Sequence, residues 1–113
     1  MAKILFIDRS ASLREIATML FQSYGHETIV TNDPVEALKL FEDHQPQIVV
    51  AEYKLPRITD LCLKSAVNKM RQKSKIFLLV DGNVFSPQGE SSLHGVDMIF
   101  GKPFQPADIL KHL

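Results

Sequence analysis

The sequence has little of what marks disulfide-rich, zinc-binding or membrane-spanning proteins. Its 113 residues contain one cysteine, Cys62, so no intramolecular disulfide can form and a reducing, cytoplasmic environment is the simplest expectation. The four histidines are scattered without the ligand spacing of a zinc site. The longest apolar runs, such as residues 4–7, are far shorter than the roughly 20 residues of a membrane helix. We therefore expect no disulfide framework, no structural zinc and no membrane span.

The sequence also lacks an excess of positive charge. Thirteen Lys and Arg residues balance thirteen Asp and Glu residues, which gives a formal net charge of zero. A domain that binds nucleic acid by neutralising phosphates, or that attaches to an anionic membrane, should be more basic. Lys69, Arg71, Lys73 and Lys75 form a local basic run, but a solvated helix end explains it. We therefore expect neither a nucleic-acid partner nor a membrane partner for this domain.

What is present is the composition of one globular domain, here residues 1–113, with 45% hydrophobic and 23% charged residues. Short β-rich runs predict five strands, at residues 4–7, 27–31, 48–51, 76–80 and 98–100. Helical periodicity or capping residues predict five helices, at about residues 13–24, 34–44, 59–72 and 87–94 and from residue 106 onward. This alternation indicates an α/β fold in which helices cover both faces of a parallel sheet.

The limits and buried faces of the first two helices can be predicted as well. A capping box of Ser12 and Glu15 can begin the first helix, with Ser10 as the competing cap. Gly25 suits the left-handed position after that helix, and Asp33 caps the second helix. The apolar residues at helical spacing are Leu13, Ile16, Ala17, Leu20, Phe21 and Tyr24 in the first helix and Ala37, Leu38 and Phe41 in the second.

Functional sites of open parallel sheets lie beyond the carboxyl ends of the strands. The residues at those positions are Asp8, Arg9, Glu52, Tyr53, Lys54, Val80, Asp81, Gly101 and Lys102. They carry charges of both signs, so this edge of the sheet is the candidate site.

With these residues in view, the whole chain resembles a receiver domain of the response regulators of two-component, or phosphorelay, signal transduction. The matching motifs are Ile7-Asp8, Leu55-Pro56, Gly95-Val96-Asp97 and Lys102-Pro103-Phe104. The resemblance implies a flavodoxin-like (βα)5 fold, a doubly wound five-stranded parallel sheet with strand order 2-1-3-4-5. It also implies a cis peptide bond between Lys102 and Pro103, and a phosphoryl-binding role for the ammonium of Lys102.

The chain departs from the family at most of the remaining positions of the reaction site. An active receiver has two acids after the first strand that hold Mg²⁺, and a phosphoacceptor Asp that ends the third. Here Asp8 keeps the first acid, Arg9 replaces the second and Glu52 stands at the acceptor position. Val80 replaces the hydroxyl residue of the fourth strand, and Ile99 replaces the aromatic switch residue of the fifth. We expect a non-enzymatic domain with no phosphotransfer, no cofactor and a lost Mg²⁺ site.

Charge counting suggests what replaces the metal. The acids Asp8, Glu52 and Asp81 are balanced by the bases Arg9, Lys54 and Lys102. An internal cluster of ion pairs could therefore substitute for Mg²⁺. The alternative is that Lys54 and Asp81 point into solvent. A further alternative is that Glu52 imitates a phosphorylated aspartate, although a static scaffold fits the replaced switch positions better.

These features predict a degenerate receiver, or pseudo-receiver, that works through contacts with a protein partner or a second copy of itself. The resemblance assigns those contacts to the face of the fourth helix, fifth strand and fifth helix. One alternative is a receiver that is still phosphorylated with Mg²⁺. Another is the N-terminal regulatory domain of a longer regulator with a DNA-binding, PilZ or enzymatic output, because the last helix is short at Leu113 and is expected to be truncated.

Overall fold

The strands and helices follow one another in the predicted order. The computed structural model describes residues 2–52, 69–70, 73–81, 97–102 and 105–113. The strands are β1 (Lys3–Ile7), β2 (Glu27–Thr31), β3 (Ile48–Glu52), β4 (Lys75–Asp81) and β5 (Met98–Lys102). The helices described in full are α1 (Ala11–Ser23), α2 (Pro34–His44) and α3 (Pro106–Leu110). Residues 69–70 are helical, whereas the rest of the predicted helix at 59–72 and the whole of the one at 87–94 lie outside the described residues.

The five strands form one parallel sheet with the order β2-β1-β3-β4-β5. Strand β1 pairs with β2 on one side and with β3 on the other. After β2 the chain crosses back over β1 to form β3, so the direction in which strands are added reverses between β1 and β3. The predicted parallel sheet and its flavodoxin-like strand order are confirmed.

Each face of the sheet carries its own apolar core, because successive strand residues point to opposite faces. On one face Ile4 and Phe6 pack with Phe21 of α1 and Ile109 of α3. The rings of Phe6 and Phe21 meet edge to face, with their centroids 6.3 Å apart. The opposite face is covered by α2, whose buried residues are Ala37 and Phe41, with Leu38 partly buried beside them. Burial on both faces explains why β1, β3 and β4 read as continuous apolar runs.

The first helix corrects two predictions. It begins at Ala11, so the side chain of Ser10 accepts the amide of Leu13 and is the cap, and the capping box of Ser12 was wrong. Ile16 is 52% exposed although its spacing predicted burial. Consecutive residues of a helix are separated by about 100° of rotation. Because Ala17 is fully buried against the sheet, the side chain of Ile16 points away from it. Tyr24 is also exposed, because it lies beyond the last turn.

Other element ends agree with the sequence. Gly25 has the expected positive φ of 85°, and the side chain of Asp33 caps α2 by accepting the amide of Val35. Strand β3 extends one residue beyond its apolar run, to Glu52, because Glu52 still pairs with Leu79 of β4. This extension places an acid inside the sheet at the edge where the site is expected.

Candidate functional site

Two buried carboxylates lie at the carboxyl end of the central strands. Asp8 follows β1, Glu52 ends β3, and these neighbouring strands are in register at Ile7 and Ala51. Asp8 is 0% exposed and Glu52 is 4% exposed. Carboxylates persist at such depth only with charged or hydrogen-bonding partners, because their transfer out of water is costly. The contacts around this acidic pair therefore define the candidate site.

Glu52 is held by the residue that replaces the second acid of the family. The Nε of Arg9 donates to Oε1 of Glu52 at 2.5 Å, and the backbone N of Arg9 donates to Oε2 at 3.1 Å. One residue thus engages both carboxylate oxygens. The side chain of Glu52 is 5% exposed, whereas that of Arg9 is 58% exposed. The ion pair consequently joins a buried anion to a cation that lies at the protein surface.

Asp8 is held by the loop that follows it. Its Oδ1 accepts the backbone amide of Ser10 at 2.9 Å, and its own amide donates to the carbonyl of Thr31 at 3.1 Å. These bonds fix Asp8 between the end of β2 and the start of α1. Across the part of the chain that the structure describes, the side-chain hydrogen bonds of Arg9 go to Glu52 and none goes to Asp8. Arg9 therefore contacts one of the two acids directly.

Arg14 is a site residue that the sequence reasoning missed. Its Nη1 donates to the backbone carbonyls of Asp8, at 2.7 Å, and of Arg9, at 3.1 Å. Arg14 lies in the first turns of α1, where the positive end of the helix dipole disfavours a cation. The unfavourable position of this cation could have drawn attention to Arg14 in the sequence, because a cation near the N-terminus of a helix is expected to have a compensating contact.

Three other predicted site positions, Val80, Asp81 and Lys102, lie at the carboxyl ends of β4 and β5, at the same edge of the sheet. The backbones of Val80 and Asp81, at the end of β4, pair with Gly101 and Lys102, at the end of β5. Ile99 is partly buried against the core on the α2 side of the sheet. The predictions that fall outside the described residues concern Lys54, the side chains of Val80, Asp81 and Lys102, and the cis peptide bond before Pro103.

Within residues 2–52, 69–70, 73–81, 97–102 and 105–113, no three His, Cys, Asp or Glu side chains are arranged to hold a metal ion. No helix within the same ranges is both long enough and apolar enough to cross a membrane.

Known proteins with similar sequences include transcriptional regulators and the protein PilG. No protein-family model matches the chain. A probable transcriptional regulator of Guillardia theta, ycf27, is 27% identical over 107 residues, which are 95% of this chain and 42% of that protein. The protein PilG of Pseudomonas aeruginosa is 24% identical over 110 residues, which are 96% of this chain and 82% of PilG. The chain thus spans less than half the length of the ycf27 relatives that it matches.

The structure is similar to that of a chemotaxis response regulator. Vibrio cholerae CheY4 superposes with a TM-score of 0.84 and 26% sequence identity, over 99% of this chain and 95% of CheY4. The strand order, the sequence similarity and the structural similarity all agree with the family resemblance. In sequence and in fold the chain is similar, over nearly its whole length, to receiver domains of response regulators.

Proposed function

We propose that this receiver domain does not accept a phosphoryl group and signals through contacts with other proteins. The observation that carries the proposal is the double contact of Arg9 with the two carboxylate oxygens of Glu52. In the receiver family the position of Glu52 accepts the phosphoryl group, and the position of Arg9 helps to hold Mg²⁺. Both positions are occupied here by residues that bind each other.

The side chains around Glu52 fit a magnesium ion poorly. Mg²⁺ binds oxygen ligands in near-octahedral geometry, and carboxylates supply them in proteins. An ion at Glu52 would have to displace the guanidinium and would then lie beside a permanent positive charge. This donor set supports the predicted loss of the metal site.

The same contact opposes phosphoryl transfer to Glu52. To attack phosphorus, a carboxylate oxygen must donate a lone pair. Both oxygens of Glu52 already accept hydrogen bonds from Arg9, which makes them weaker nucleophiles. Val80 offers no hydroxyl to the transferred group. These features support a non-enzymatic domain whose pocket is neutralised internally.

The experiment is incubation of the chain with acetyl phosphate and Mg²⁺, followed by intact-mass measurement. We expect no phosphorylated species. A matched control carries Arg9→Asp, Glu52→Asp and Val80→Thr together, which restores the family residues and should gain one phosphoryl group. Phosphorylation of the unsubstituted chain that requires Mg²⁺ and disappears in Glu52→Gln would establish the alternative, a receiver that is still phosphorylated.

The partner contacts are assigned by family resemblance to the face that includes β5 and α3. A second copy of the chain and another signalling protein are both candidates. Ala107 on α3 and Lys111 directly after it are exposed, so this end of the chain is accessible along one side. Sedimentation of Lys111→Glu and of the unsubstituted chain over a range of concentrations would test homodimerisation through this face. Equal behaviour of a dimeric wild type and the variant would place the contact elsewhere.

A second proposal concerns a longer regulator. The ycf27 relatives are described as transcriptional regulators, and the chain matches less than half of their length. This coverage supports a role as the N-terminal regulatory domain of a regulator with a DNA-binding, PilZ or enzymatic output. The 82% coverage of PilG supports a receiver that works without such a domain. The length of the native gene product, measured by mass spectrometry of the protein from its own cells, decides between them.

A further inference from the structure

We propose that Arg14 is a positioning residue that holds Arg9 against Glu52. This inference deepens the proposed function and rests on it, since it concerns how the neutralised pocket is maintained. Arg14 lies in α1, but its side chain returns to the loop before the helix. There a single nitrogen, Nη1, binds the carbonyls of two consecutive residues, Asp8 and Arg9.

The first of these bonds acts on the peptide group that also binds Glu52. The carbonyl of Asp8 and the amide of Arg9 belong to one planar peptide unit, in which the C=O and N–H bonds point in opposite directions. Arg14 binds the carbonyl side at 2.7 Å, and Oε2 of Glu52 binds the amide side at 3.1 Å. The orientation that satisfies Arg14 is therefore the orientation that aims the amide of Arg9 at Glu52. Hydrogen bonds at the two ends of one peptide group also polarise each other.

The second bond fixes the next peptide unit, through the carbonyl of Arg9 at 3.1 Å. With both flanking peptide groups held, the backbone dihedral angles of Arg9 are restricted, and its side chain leaves the backbone toward Glu52. The side chain of Arg9 is 58% exposed, so packing alone restrains it weakly. Its placement depends on the backbone from which it starts.

A purely structural role for Arg14 would be to stabilise the start of α1. The helix dipole argues against that role, because a cation near the N-terminus of a helix is unfavourable. The first turn contains no acid to offset the charge. The cap is supplied independently by the side chain of Ser10. The position of Arg14 is thus unfavourable for the helix and favourable for the loop that carries Asp8 and Arg9.

The test is NMR hydrogen exchange of the Arg9 Nε–H and backbone amide, with the amide of Ala17 as the reporter on α1. In Arg14→Ala we expect both Arg9 groups to exchange about tenfold faster, as for the loss of a hydrogen bond, with Ala17 unchanged. Arg14→Lys keeps a donor and should restore part of the protection. Glu15→Ala, which removes an adjacent exposed charge, is the control and should leave Arg9 unaffected.

Two outcomes would overturn the inference. Unchanged exchange of Arg9 in Arg14→Ala would mean that Arg9 is placed without Arg14. Equal acceleration at Arg9 and Ala17 would mean that Arg14 stabilises the helix and not the pair. If Arg14→Ala does not fold, Arg14→Lys is compared with the wild type instead. Full protection of Arg9 in Arg14→Lys would then overturn the inference, because Arg9 would be held without the contact of Arg14 with both carbonyls. The phosphorylation assay on the wild type fails or succeeds separately from these measurements, since exchange at Arg9 requires no phosphoryl donor.

Discussion

Replacing Arg9 with alanine removes the guanidinium that binds Glu52 and keeps the backbone of residue 9. The bond from Nε to Oε1 of Glu52 is lost, whereas the backbone bond from Arg9 to Oε2 can remain. Glu52 stays largely buried with one charged partner fewer. We therefore expect Arg9→Ala to lower the free energy of unfolding.

The size of the effect follows from the unequal burial of the two partners. Breaking a fully buried ion pair costs about 3–5 kcal/mol, whereas an exposed pair contributes about 0–1 kcal/mol. Here the carboxylate is 5% exposed and the guanidinium 58% exposed, so solvent screens one end of the pair and can reach Glu52 once the side chain is gone. A cost of about 1–3 kcal/mol results, which for a domain of this size lowers the melting temperature by about 4–12 °C.

Thermal and urea melts of the wild type and Arg9→Ala, each with and without Mg²⁺, measure this cost. Lys111→Ala is the matched control, because it removes an exposed cation 3.9 Å from Asp108 and should change stability by less than about 0.5 kcal/mol. Equal melting temperatures for Arg9→Ala and the wild type would refute the reasoning, since the guanidinium would then contribute nothing. Stabilisation of the wild type by Mg²⁺ would show that its metal site survives.

Three further predictions address the same chain. Arg9→Asp should be less stable than Arg9→Ala without metal, because like charges then face each other. Mg²⁺ should restore the stability of Arg9→Asp by binding its folded state. No response of Arg9→Asp to Mg²⁺ would contradict this account of the pocket. Ser10→Ala should cost about 1 kcal/mol in urea melts and Ser12→Ala much less, because Ser10 caps α1, and the reverse order would reinstate the capping box. Phe21→Ala should cost about 3–5 kcal/mol, whereas Ile16→Ala should cost far less because Ile16 is 52% exposed, and similar losses would mean that Ile16 is buried.

The fold could be predicted because burial on both faces leaves a plain trace in the sequence. The run Ile48 to Ala51 has no polar residue, and the structure buries every residue of it between two layers of helices. Strand limits were less visible, because backbone pairing continues through polar residues. Lys3, Glu52 and Lys75 all pair within the sheet, although hydropathy alone assigns them to loops.

Contacts that join distant parts of the site could be predicted only in part. The resemblance located Asp8, Arg9 and Glu52, but no sequence pattern states which acid the guanidinium of Arg9 binds. The role of Arg14 depends on a side chain that folds back onto the preceding loop. Helical periodicity predicts the face of the helix on which Arg14 lies, but it does not predict the partners of the side chain. The exposure of Ile16 likewise depends on which of two adjacent apolar residues faces the sheet.

The two departures at the acidic site support each other. Glutamate carries its carboxylate one methylene farther from the backbone than aspartate does, and from the end of β3 that carboxylate reaches both the amide and Nε of Arg9. A phosphoaspartate mimic would need to present uncompensated negative charge to the switch positions. Here the charge of Glu52 is met by Arg9, and Val80 and Ile99 lack the hydroxyl and the aromatic ring through which receivers respond. We infer that Arg9 and Glu52 act together as a fixed internal ion pair, which favours a static scaffold over a permanently activated receiver.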